Sequence, residues 1–257
     1  MTPQINIGTS GWSFKDWRGP FYPAEISNDD LLPYYAQHFK CTEVNFTYYK
    51  IPDPKIFEQW VEKTPDDFEF TVKLNRGTTH QKENQIEVAK SLDEAIAPLK
   101  ESGKFTGYLG QFPYAFKNNE ANRKLLYQIR ENLSDDPIFV EFRHDSWLKD
   151  PVYKFLEQQR LGYVCVDEPQ LKGLIPPQNI TTADIGYVRL HGRNSKTWWN
   201  SEAGDRYDYS YSKSELKEWV DRLQEMKNRV SKLYIFFNNC HHGQAPLNAQ
   251  TMQSLFD

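Results

Sequence analysis

Short runs of β-branched and aromatic residues recur along the chain, each followed by a polar, amphipathic stretch. The runs are Ile5–Ser10, Cys41–Phe46, Phe68–Lys73, Phe105–Gln111, Ile138–Arg143, Gly162–Val166, Gly186–His191 and Leu233–Asn238. Each has the usual length of a strand, about six residues. Between them, apolar residues return at helical spacing. Asp29–Phe39 carries Leu31, Leu32, Tyr35 and Phe39; Asp53–Lys63 follows Pro52 and carries Ile56, Phe57 and Trp60. Further helices are expected over Glu83–Gly103, with the glycine as the stop, and over Asn119–Leu133, Asp150–Gln159, Ser212–Val230 and Ala245–Phe256. Ser212 with Glu215 is a capping-box pair. The stretch from Asp167 to Gly186 carries Pro169, Pro176 and Pro177 and reads as poor in helix.

Strands alternating with helices imply parallel pairing through right-handed crossovers, and eight such strands select a (β/α)8 TIM-type barrel. The 257 residues suit one barrel domain spanning 1–257. A chain of this size can bury about 70–75% of its unfolded surface, so it needs no staples. In a barrel strand, one parity faces the helices and the other the interior. The apolar set Ile5, Ile7, Val44, Phe46, Phe68, Phe70, Val72, Ile138, Val140, Phe142, Val164, Val166, Val188, Leu190, Ile235 and Phe237 is assigned outward. The opposite parity then presents Ser10, Glu43, Asn45, Lys73, Gln111, Glu141, Arg143, Asp167, Arg189, His191 and Asn238 at the C-terminal strand ends, where this fold carries its catalytic groups. The N-terminal inward positions, such as Phe139, Tyr187 and Tyr234, are less polar.

Composition narrows the classes. Hydrophobic residues at 39% and charged residues at 26% describe a globular chain. No apolar run reaches the roughly 18 residues of a membrane span. The first residues show no signal-peptide pattern, and Cys41, Cys165 and Cys240 lie far apart, so reduced thiols in a cytoplasmic protein are expected. A net charge of −4 argues against a globally basic nucleic-acid binder and leaves a local basic patch open. Oligomeric state leaves no signal in the pattern.

The chain also resembles a known family along essentially its whole length. The matching pieces are Ile7-Gly-Thr-Ser-Gly-Trp-Ser, Trp17-Arg-Gly-Pro-Phe-Tyr-Pro, Thr42-Glu-Val-Asn-Phe-Thr-Tyr-Tyr, and Trp60 with Thr64-Pro-Asp-Asp-Phe-Glu-Phe-Thr-Val-Lys. Gln111-Phe-Pro, Val140-Glu-Phe-Arg-His-Asp-Ser-Trp, Tyr187-Val-Arg-Leu-His-Gly-Arg and Phe236-Phe-Asn-Asn-Cys follow in order, then Ala245 and Asn248-Ala. They are similar to the domain of unknown function 72, or YecE-like, family. The resemblance implies a TIM barrel and no particular activity.

The residues themselves leave three chemistries open. A multi-zinc phosphodiesterase site needs several inward histidines, and only His191 has that parity; a single divalent ion on Glu43, Glu141, Asp167 or His191 is the remaining metal option. Metal-free acid–base chemistry would use Glu43, Glu141 and His191 as catalytic groups, cleaving a glycosidic or phosphoester bond. Lys73, Arg143, Arg189 and Arg193 would clamp a small anionic substrate such as a sugar phosphate or nucleotide, oriented by Ser10, Asn45, Gln111, Asp167 and Asn238. Third, the same face could bind nucleic acid or a metabolite without catalysis, with Trp12, Tyr48, Tyr49, Trp147, Trp198 and Trp199 stacking. The bland alternative throughout is an internal ion-pair network. The long aromatic insert Gly192–Tyr211 after the seventh strand is expected to serve the site.

Overall fold

The computed structural model describes residues 3–81, 84–133, 136–201 and 204–256. Eight parallel strands close into a barrel in sequence order. They are β1 (Gln4–Thr9), β2 (Cys41–Val44), β3 (Glu69–Lys73), β4 (Phe105–Gln111), β5 (Ile138–Glu141), β6 (Leu161–Asp167), β7 (Ile185–Leu190) and β8 (Lys232–Phe237). Around them lie α1 (Leu31–Tyr35), α2 (Pro54–Glu62), α3 (Arg76–Thr79), α4 (Gln85–Ala95), α5 (Ala97–Glu101), α6 (Glu120–Asn132), α7 (Asp150–Gln158), α8 (Lys213–Lys227) and α9 (Gln244–Gln253).

Local chemistry explains several helix ends. Asp53 caps α2 by accepting from the Lys55 amide at 3.0 Å, with Pro54 in the first turn, where no amide hydrogen is needed. Asn119 caps α6 through the Asn122 amide at 2.9 Å. Ser212 and Glu215 form the capping box of α8. The single helix expected over 83–103 is divided: α4 ends at Ala95, and α5 restarts with Pro98 in its first turn. Proline inside one continuous helix would remove a hydrogen bond and clash with the preceding turn. Gly103 does follow that pair at φ +73°; Glu83, the expected start, lies outside the described residues. As expected, no helix separates β6 from β7 among the described residues.

Parity is as expected in seven strands and reversed in one. Paired residues of neighbouring parallel strands point to the same side. Val164 and Val166 pair with the inward Tyr187 and Arg189, so they face the interior. Tyr163, Cys165 and Asp167 therefore face the helices, which corrects the outward assignment of the two valines and the inward one of Asp167. The Asp167 carboxylate accepts from the indole N–H of Trp219 on α8 and from Arg193 at 2.8 Å.

The interior is packed in layers. Its lower part holds Phe139, whose ring fills space that only glycine leaves. A Cβ on Gly107 or Gly162 would come within 2.7 or 2.8 Å of that ring. Gly107 also sits at φ +142°, beside the register shift between β3 and β4. The N-terminal end is more polar than expected: Glu69 accepts from Asn6, Lys232 and Tyr234 at 2.5, 2.5 and 2.8 Å.

Candidate functional site in the barrel mouth

Every strand delivers a polar side chain at or just beyond its C-terminus: Ser10, Asn45, Lys73, Gln111, Arg143, Glu168, His191 and Asn238. They meet in two tiers. The lower tier is a buried ion-pair network, which Arg143 joins from the floor above. Arg189 donates from Nε and Nη2 to Glu43 at 2.9 and 2.6 Å, from Nη1 to Glu141 at 2.6 Å and from Nη2 to Ser10 at 3.4 Å. Glu43 also accepts from the Tyr187 hydroxyl at 2.7 Å and from Asn45 at 3.0 Å. Arg143 reaches across to Glu141 and Glu168, each at 2.8 Å. Glu43, Glu141, Glu168 and His191 are fully buried, and Arg189 is nearly so.

Charge pairing sets the protonation states. Burial opposes ionisation of Glu141, but Arg143, Arg189 and the His191 ring outweigh it and hold its carboxyl well below the usual range. The carboxylate can then only accept. Its Oε1 lies 3.2 Å from His191 Nε2, so the negative oxygen favours an N–H on that nitrogen. The proton therefore belongs on Nε2, and Nδ1 accepts from the Asn238 amide at 3.0 Å. Burial, with Arg143 adding to it, lowers His191 to about 3, so the ring is neutral. Burial raises Glu168 to about 7, against the opposing pull of Arg143 and of the Ile175 amide, which donates to it at 3.1 Å.

Above this tier opens a cleft of about 800 Å³. Its floor is Ser10, Asn45, Lys73, Gln111, Arg143 and Asn238, and its walls carry Phe14, Tyr48, Tyr49, Tyr114, Trp198, Trp199 and Tyr207. The insert after β7 closes one side. Trp198 is buried against the Arg143 guanidinium, 5.6 Å from its carbon, whereas Trp199 is 51% exposed and meets Tyr114 edge-on. Lys73 Nζ donates to Gln111 Oε1 at 3.0 Å and lies 4.7 Å above the Tyr48 ring. Burial first, then Arg189 and Arg143, lowers Lys73 to about 7, although Glu141 and Glu43 pull the other way. His80, also on the wall, is lowered to about 4 by burial and Lys73.

Of the residues expected at the site, six form the floor, and Glu43, Glu141, Arg189 and His191 form the tier beneath. Three lie elsewhere. Trp12 packs on Trp60 and Phe70 at 4.7 and 6.3 Å, because its loop folds back over the β-strand exterior. Asp167 and Arg193 form a separate ion cluster with Glu215 and Glu218 of α8. Trp147 is likewise core, stacked 4.1 Å from Phe142. The residue that strand parity missed is Glu168. Its neighbour Asp167 drew the assignment, and the two inner valines of β6 looked like an outer face. A metal on Glu43, Glu141, Asp167 or His191 fits poorly: Asp167 points away, and both glutamates spend their oxygens on arginines. Among the described residues no group of three His, Cys, Asp or Glu is arranged to hold a metal ion. No helix among them is long and apolar enough to cross a membrane.

The comparisons with known proteins agree with this architecture. Residues 6–257 match the family model described as "Protein of unknown function DUF72". UPF0759 protein YunF of Bacillus subtilis is 30% identical over 98% of this chain and 95% of its own. UPF0759 protein YecE of Escherichia coli is 38% identical over 96% of this chain and 91% of its own. A DUF72 family protein of Thermotoga maritima superposes with a TM-score of 0.91 at 40% identity, covering 98% of this chain and 99% of that one. A methionine synthase homologue from Listeria monocytogenes, at TM-score 0.51 and 12% identity, shares only the fold. With the match running almost from end to end, this chain belongs to the DUF72 family.

Proposed function

We propose that the protein is an enzyme for a small anionic substrate carrying a sugar- or nucleotide-like ring. The carrying observation is the vertical separation of charge: the carboxylates Glu43, Glu141 and Glu168 lie beneath the floor, while Lys73 and Arg143 line it. Arg143 uses one terminal nitrogen on each of two carboxylates, which leaves donors for a ligand in the cleft. Ser10, Asn45, Gln111 and Asn238 supply neutral polar contacts, and the aromatic wall suits a planar or sugar ring.

The division of labour changes with this geometry. Glu43, Glu141 and His191 become positioning residues that aim Arg189, Arg143 and Asn238. Two carboxyl groups flanking a scissile glycosidic bond would have to reach the cleft, and among the described lining residues Asp16 is the sole carboxylate. Glycosidic cleavage is therefore the less fitting chemistry.

Thermal-shift titration with ribose 5-phosphate and with ribose tests the reading. The phosphate ester is expected to raise Tm and the free sugar not to. Arg143→Lys, which keeps the charge but loses the planar fork, should weaken the effect at least tenfold. Equal responses to the two sugars would remove the anion site. A preference for single-stranded oligonucleotides that falls steeply with salt would instead favour a nucleic-acid-binding face.

A further inference from the structure

Lys73 has an unusual position among the charged residues of the mouth. It stands at the end of β3, half-buried, and lines the floor of the cleft. Every other cation of the inner cluster is matched by carboxylates: Arg189 by Glu43 and Glu141, and Arg143 by Glu141 and Glu168. Lys73 forms no ion pair with a described residue. Its neighbours are a neutral amide oxygen and an aromatic face. A lysine meant only to balance charge would sit against a carboxylate, and two are close enough to influence it but are already spent on arginine. The Gln111 bond fixes the direction of the amine without neutralising it. Such surroundings are those of an amine kept reactive.

We infer that Lys73 is a nucleophile that forms an imine with the carbonyl carbon of an anionic aldehyde or ketone held in the mouth. The inference rests on the anion-site reading above and specifies its substrate class: a carbonyl compound with an acidic group, such as an open-chain sugar phosphate. Neutral Nζ gives its lone pair to the carbonyl carbon, and a C–N bond forms as the C=O π pair moves to oxygen. A proton passes from nitrogen to that oxygen, giving the carbinolamine. A second proton, taken from solvent, lets the oxygen leave as water, and the nitrogen lone pair closes the protonated imine. One amine, one carbonyl and one proton thus yield one iminium and one water. Arg143 holds the acidic group, and the Tyr48 face lies against the cation that results.

The groups that face this amine set when it is neutral. Glu43 comes from β2, Tyr48 and His80 from the following loops, Gln111 from β4, Glu141 and Arg143 from β5, and Arg189 from β7. Desolvation and the two guanidinium groups favour the neutral form, whereas the two glutamates favour the cation, and desolvation is the largest of these effects. The lowered value, about 7 against an ordinary 10.5, puts a large neutral fraction at physiological pH.

Borohydride trapping on the full chain tests this, using D-glyceraldehyde 3-phosphate and D-glyceraldehyde as probes and peptide mass mapping as readout. Lys73 is expected to be labelled by the phosphorylated aldehyde at least tenfold faster than any other lysine, and inorganic phosphate is expected to slow it. Acetylation of Lys73 by acetic anhydride, followed across pH, should show a midpoint near 7. Labelling no faster than that of surface lysines, or a midpoint above about 9, overturns the inference. If ribose 5-phosphate still raises Tm while Lys73 stays unlabelled, the imine fails and the anion site stands. If both aldehydes label Lys73 equally fast, the nucleophile stands and the anion site fails.

Discussion

At the scale of single residues, Arg189 is the centre of the mouth. It is 1% exposed and binds two carboxylates and a hydroxyl. Arg189→Met would leave Glu43 and Glu141 buried with too few partners, and breaking such a pair costs about 3–5 kcal/mol. Urea unfolding of that variant should show the loss; a change under 1 kcal/mol would mean that water reaches the carboxylates. His191 gives a pH signature. Its folded value of about 3 lies below the ordinary 6.5, so between these the unfolded chain binds a proton that the native ring refuses. This contribution to stability falls as pH drops from about 6.5 toward 3 and is flat above that window. Glu168, raised to about 7, slopes the other way between 4.5 and 7, since there the native state holds the extra proton. The difference between wild type and His191→Gln isolates the histidine: the variant should lose less stability on going from pH 7 to pH 5. Parallel curves would contradict a neutral His191.

Elements show how local rules and packing divide the work. The Ser212–Glu215 pair marked its helix in the sequence, and its capping box forms; Asn119, read only as the first residue of another helix, caps that one as well. Ser212→Ala should cost about 1 kcal/mol in chemical denaturation, the usual worth of such a cap. An unchanged midpoint would show that packing of α8 on the barrel overrides it. Strand β6 shows where local pattern fails. Alternation tells which residues share a face but not which face is inside when both are apolar, and Leu161, Tyr163, Val164, Cys165 and Val166 are all buried. Only pairing with the neighbouring strands β5 and β7 settles the parity, and with it the choice between Asp167 and Glu168. The adjacent carboxylates then take opposite duties. Asp167 ties Arg193 and the start of the insert to α8, while Glu168 fixes Arg143 under the cleft.

For the whole molecule, the barrel concentrates its chemistry by bringing eight strand ends to one opening. The insert adds what the strands lack, a wall of rings. Trp199 is its most exposed ring, packed edge-on against Tyr114. Trp199→Ala should leave stability within about 0.5 kcal/mol of wild type, as surface changes usually do. If the wall receives a base, affinity for AMP should fall roughly tenfold while ribose 5-phosphate binding is kept, since stacking contributes about 1–3 kcal/mol per base. Equal losses for both ligands would place the ring elsewhere. Fold class, strand order and six floor residues were readable from alternation and spacing, because one-dimensional periodicity reports directly on which side chains must leave water. What alternation could not supply was depth. Whether Glu43 and Glu141 meet a ligand or only an arginine, whether Lys73 has a counter-ion, and where Trp12 and Arg193 go all depend on distances between strands far apart in the chain. Those distances exist only once the barrel has closed.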